Sequence, residues 1–129
     1  MKSLTLLTIL LAFSFITFEC NSSTNTDEML TLPSSVGSVA VSQKSATQIS
    51  FSAKAGWHNG CGRFAYFDST RTGSTYSIKV FGTQPKNAVC TQAFIEFDAP
   101  VTINVPTSGS YTFRFWRSDS TSLDTTLTL

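Results

Sequence analysis

A chain of 129 residues has room for one small domain and little else. Nine basic and eight acidic residues give a formal net charge of +1, and Lys44, Lys54, Lys79 and Lys86 are scattered along the chain. Binding to a phosphate backbone needs a strong, clustered positive field, so composition speaks against nucleic acid as a partner.

The chain opens with one cation, Lys2, and then a run over residues 4–18 that holds 11 apolar residues and no charge. That is the layout of a secretory signal. A transmembrane anchor needs about 20 apolar residues, and Glu19 closes this run early. Residues 1–19 are therefore expected to be a signal peptide. The competing reading is a buried helix, but nothing of matching size follows that could cover a helix apolar on every side.

Cys20 stands directly after the run and leads into Asn21-Ser22-Ser23-Thr24-Asn25-Thr26. This arrangement resembles a bacterial lipoprotein signal, in which the cysteine becomes the first mature residue and carries lipid. The resemblance implies lipid attachment at Cys20, export, and a place in the cell envelope with the membrane as a partner. Glu19 and Thr17 stand where the usual pattern has a small and a leucine-like residue. Cleavage nearer Ser22 or Ser23 is the alternative. Residues 20–34, rich in Ser, Thr, Asn and Asp, are expected to form a flexible polar tether.

From residue 35 onward the apolar positions recur at spacing two, and β-branched and aromatic residues fill the runs, which predicts strands throughout. Val36–Val41 is the first. Gln48–Lys54 follows, with Ile49, Phe51 and Ala53 on one face. Residues 57–62 read as a turn cluster, 63–67 as a strand and 69–73 as a turn. Tyr76–Phe81 comes next, with Tyr76, Ile78 and Val80 on one face and Ser77 and Lys79 on the other. A loop is expected over 83–87, then a strand over 93–97. Pro100 interrupts, 101–105 resumes the alternation, and 106–110 turns. Residues 111–117 form the strongest strand, and 123–129 close the domain. About seven short strands over 35–129 predict an all-β fold, an antiparallel β-sandwich; a small closed barrel is the alternative.

With Cys20 assigned to lipid, Cys61 and Cys90 remain. In an oxidising compartment two such cysteines are expected to pair as a disulfide. The lone histidine, His58, lies three residues before Cys61, but one His and two Cys are too few for a closed zinc site. No Gly-x-Ser-x-Gly elbow or phosphate loop occurs, so neither catalytic residue, metal nor cofactor is expected. Glu96 and Asp98 share one strand face and read as solvated charges that discourage edge pairing.

Residues 108–116, Ser-Gly-Ser-Tyr-Thr-Phe-Arg-Phe-Trp, followed by 123–129, Leu-Asp-Thr-Thr-Leu-Thr-Leu, resemble the last hairpin of immunoglobulin-like domains. The resemblance implies an immunoglobulin-like sandwich with a tyrosine corner at Tyr111. Phe113 stands where an antibody domain has its second cysteine, so the Cys61–Cys90 pair staples different positions. In layout the whole chain resembles small exported bacterial lipoproteins carrying such a domain.

Four side chains are candidates for partner binding. Trp116 and Arg114 face away from Phe113 and Phe115, where they can stack on each other or anchor a partner. Trp57 and His58 lie in the loop that Cys61 would pin, as a rigid recognition tip or as a cap on the core. These features point to a non-enzymatic, lipid-anchored binding or adhesion module for a protein or glycan ligand. The alternative is an inhibitor or accessory subunit of an envelope or secreted enzyme.

Overall fold

A computed structural model describes residues 28–129; the expected signal peptide, Cys20 and the tether up to residue 27 lie outside the described residues. Eight strands form two packed sheets: β1 (Met29–Ser34), β2 (Val36–Lys44), β3 (Gln48–Trp57), β4 (Arg63–Thr72), β5 (Thr75–Pro85), β6 (Ile95–Asn104), β7 (Ser110–Ser118) and β8 (Thr121–Thr128). The fold is the expected all-β sandwich.

The smaller sheet has the order β2-β3-β6, and the larger one contains β4, β5, β1, β7 and β8. β5 organises the larger sheet. β4 pairs along one of its sides. On the other side its first half, Thr75–Ile78, pairs with β7, and its second half, Val80–Pro85, pairs with β1. The β5–β7 ladder is parallel; the others among the described residues are antiparallel. Parallel neighbours need a crossover connection. β6, in the opposite sheet, supplies it.

The core follows the period-two reading. Ile49, Phe51, Ala53, Ala55, Tyr76, Ile78, Val80, Phe113 and Phe115 are all buried between the sheets. Phe51 meets Phe113 and Phe115 edge-on, with ring centroids 5.0 and 5.2 Å apart. Burying side chains of this size stabilises by about 1.5–3 kcal/mol each. The tyrosine corner is present: the Tyr111 hydroxyl donates to the Thr107 carbonyl at 2.7 Å.

Several boundaries differ from expectation; among them, the strand expected over 93–97 starts at Ile95, and Trp57, expected in a turn, ends β3. The tether does not reach residue 34, because Met29–Ser34 form β1 against Pro85–Val80. Pro33 is tolerated because β1 pairs on one side only. β1 and β2 are one strand that changes sheets at Ser35, whose carbonyl accepts from the Gly56 amide at 2.9 Å. The expected turn at 69–73 shrinks to Gly73-Ser74, with Thr72 paired to Thr75 and Gly73 at φ 62°. A two-residue hairpin turn of this kind requires that positive φ. Of the expected loop at 83–87, residues 83–85 are instead the end of β5, held by β1, and only Lys86 and Asn87 turn. Pro100 does not interrupt β6. It pairs with Ser52 on an edge strand, where its missing N–H leaves no ladder bond unmade.

Candidate functional site

Cys61 and Cys90 are bonded, with Cα atoms 5.5 Å apart. The segment around them is built from inside. Trp57, the last residue of β3, is only 2% exposed. Its indole N–H donates to the buried Gln84 Oε1 at 2.7 Å, and the Asn59 side-chain amide donates to the same oxygen, also at 2.7 Å. Asn59 Oδ1 accepts from the Cys61 amide at 3.0 Å. The Gly60 amide reaches the Thr91 carbonyl at 2.9 Å, on the far side of the disulfide. Trp57 is therefore a hydrogen-bonded core residue, which overturns its reading as an aromatic recognition tip. A buried indole needs a partner for its N–H, and Gln84 at the end of β5 is that partner. His58 is exposed, its ring 5.0 Å from that of Trp57.

The outer faces of the two sheets differ. On the smaller sheet, cross-strand polar pairs run in register from Gln48–Asn104 and Ser50–Thr102 to Lys54–Asp98, the last an ion pair at 2.6 Å. That pairing with Asp98 raises the Lys54 pKa. Asp98 is thus one end of a solvated ion pair, as expected of a water-facing strand. Among the described residues no group of three His, Cys, Asp or Glu could hold a metal ion.

The outer face of the larger sheet carries aromatic rings among its polar groups. Register sets Asp68 of β4 opposite Lys79 of β5, and Tyr66 opposite Phe81. It sets Arg114 of β7 opposite Asp124 of β8, and Trp116 opposite Ser122. The Tyr66 and Phe81 rings stack with centroids 4.7 Å apart. Lys79 Nζ lies 5.4 Å from the centre of the half-buried Trp116 ring. Arg114 is held at 3.1 Å by Asp124. Ser122 Oγ donates to the same carboxylate at 2.7 Å. Those two donors hold the Asp124 carboxyl below its ordinary value of 3.8. Of the alternatives for Arg114 and Trp116, mutual stacking gives way to an ion pair for one and a lysine cation for the other. Register sets Arg114 directly opposite Asp124, and Lys79 reaches Trp116 from just beyond the last β5–β7 pair, Ile78–Phe115.

An open groove of about 590 Å³ runs across this face. Lys79, Phe81, Arg114 and Trp116 line it, the β7–β8 turn closes one end with Ser118, Asp119 and Ser120, and Asp68 reaches it from β4. The structure brings Arg114 and Trp116 together here; Trp57 and His58 are not among its lining. Period two placed Phe81 on the same face as Ser77 and Lys79. An apolar ring at that parity was the signal in the sequence that this face is not simply solvated.

The model of the ORF11 beta-sandwich domain family matches residues 51–129, more than half of the chain. The chain belongs to that family. The match includes the disulfide and every residue of the groove. In this ORF11 beta-sandwich domain, β1 and β2 precede the matched segment yet complete both sheets. No curated protein and no solved structure matched the chain.

Proposed function

We propose that this protein is exported, carries lipid on Cys20, and acts as a non-enzymatic binding or adhesion module at the bacterial cell envelope. The groove beside Trp116 on the larger sheet is its binding surface. The observation that carries this reading is the asymmetry of the two outer faces. One is a ladder of satisfied polar pairs with a single ring, Phe94, lying over Gly56 at its end, and the other gathers Trp116, Phe81 and Tyr66 around a groove of about 590 Å³. Aromatic rings left on a surface beside charged groups are the usual anchors of recognition. The disulfide fits maturation in an oxidising compartment, which supports export.

Two measurements test this. Intact mass of the protein from its native host should show an N-terminus at Cys20 with added acyl mass; an uncleaved or unacylated chain sinks the anchoring. Adsorption of the purified full chain to envelope and extracellular matrix should fall when Trp116 is replaced by alanine. Adsorption unchanged in that variant sinks the groove.

One observation favours the second reading, an inhibitor or accessory subunit of an envelope or secreted enzyme. In the disulfide-braced segment, Val89 is fully exposed and Phe94 is 70% exposed. A rigid loop with apolar tips loses little entropy on docking. Inhibition of a co-purifying hydrolase that is lost on Val89→Asp would select this reading over the first.

A further inference from the structure

We propose that the groove on the larger sheet binds an uncharged glycan, with Trp116 as the surface on which a sugar ring stacks; this rests on the reading of that groove as the binding surface. The ligand class follows from what the groove offers.

Charge comes first. Asp68 and Asp119 line the groove together with Lys79 and Arg114, so its formal charges balance. Arg114 is further tied to Asp124 just outside the lining. An acidic ligand would meet two carboxylates here, and a basic one would meet two cations. A purely apolar ligand would cover these polar groups without giving them partners, which is costly.

Hydroxyl chemistry comes second. Ser118, Ser120, Thr121 and Ser122 crowd the β7–β8 end, and each hydroxyl both donates and accepts. A sugar presents the same mixture. These hydroxyls are held before any ligand arrives. Ser118 Oγ lies 2.7 Å from Thr121 Oγ1, and Ser122 Oγ lies 2.7 Å from Asp124 Oδ1. Groups already fixed in place lose less freedom on binding.

The rings come third. The C–H faces of a pyranose are weakly positive and pack on the negative face of an aromatic ring. Trp116 and Phe81 lie within the groove, and Tyr66 extends the line by stacking on Phe81. Lys79 Nζ lies over the Trp116 ring, 5.4 Å from its centre, so a sugar stacking on that face must move this flexible side chain aside. A groove of about 590 Å³ falls within the ordinary range for small-ligand sites and leaves room for a short oligosaccharide.

The test applies the full chain, purified in detergent, to an array of printed neutral and acidic oligosaccharides. Binding to neutral structures is expected, unchanged when salt is raised to about 0.5 M, because no net ion pairing is involved. Trp116→Ala should weaken it at least about tenfold, and Asp68→Asn should weaken it by a smaller factor. Both side chains lie on the outer face, so the melting temperature serves as a folding control. Binding confined to acidic oligosaccharides and abolished by salt overturns the proposal, as does the absence of any oligosaccharide binding. A parallel arm uses host envelope whose glycans have been oxidised with periodate. Trp116-dependent adsorption that survives the oxidation overturns the glycan but keeps the groove as a binding surface. Adsorption that ignores Trp116 overturns both.

Discussion

At the scale of single residues, a tight constraint lies where Trp57 crosses β5. A Cβ built on Gly82 would sit 2.5 Å from Trp57 Cε3 and 2.6 Å from Cζ3. The indole cannot swing away, because it is buried and its N–H is bonded to Gln84. Gly82→Ala should therefore destabilise the domain by about 1–3 kcal/mol, read as a lower urea midpoint. An unchanged midpoint would mean that the ring is not where it is described. Asp124 supports a second prediction, on pH. Hydrogen bonds from Arg114 and Ser122 lower its pKa in the folded chain. A group depressed in this way contributes stability above its unfolded value of 3.8, and loses it as pH falls through the lower folded value. The stability gap between the parent chain and Asp124→Asn should be present at pH 7 and close below about pH 3.8. A gap that stays constant down to acid pH would show that the carboxylate's ionisation contributes nothing. Tyr111→Phe supports a third. It removes the donor to the Thr107 carbonyl and should cost about 1 kcal/mol in urea unfolding, with the fold retained.

At the scale of elements, period two made the centres of β3, β5 and β7 legible, since in each of them apolar and polar residues alternate across a sheet with one wet face. The ends were not legible. Residues 69–72 and 83–85 carry no apolar alternation of their own, and they are strand because β4, β5 and β1 pair through them. β1 read as tether because it continues a Ser-, Thr- and Asn-rich stretch and ends in Pro33-Ser34, although Leu30 and Leu32 already alternate with Thr31; what orders it is β5. The face that carries the groove was legible in part. The parity of Arg114 and Trp116 placed them outward, but Asp68, Lys79 and Phe81 join them only through the β4–β5–β7 register, which one strand's sequence does not encode. The disulfide was readable once Cys20 was set aside for lipid and the domain was assigned to an oxidising compartment. It joins the Trp57–Gly62 segment to the stretch before β6, across a sequence separation of 29. Replacing both cysteines by serine should cost about 3 kcal/mol, since the closed loop restricts the unfolded chain. Urea unfolding with and without reductant measures this. If reductant leaves the midpoint of the parent chain unchanged, the bond contributes nothing to stability.

At the scale of the whole molecule, the family match and the folding unit have different boundaries. The match begins at Phe51, inside β3, whereas β1 and β2 lie wholly before it. A chain cut to residues 51–129 would keep β3 and β6 as a two-stranded remnant of the smaller sheet, and two strands alone are marginal in water. It would also lose Val36, fully buried in the core, and uncover the half of β5 that β1 pairs. Unpaired ladder groups on β5 would then face solvent as a template for association. Residues 28–129 should thus unfold cooperatively in urea with a fixed near-ultraviolet signal from Trp57, while residues 51–129 should show neither and should aggregate. A cooperative transition in the shorter chain would mean that the strand switching sheets at Ser35 is an accessory to the sandwich and not part of what holds it together.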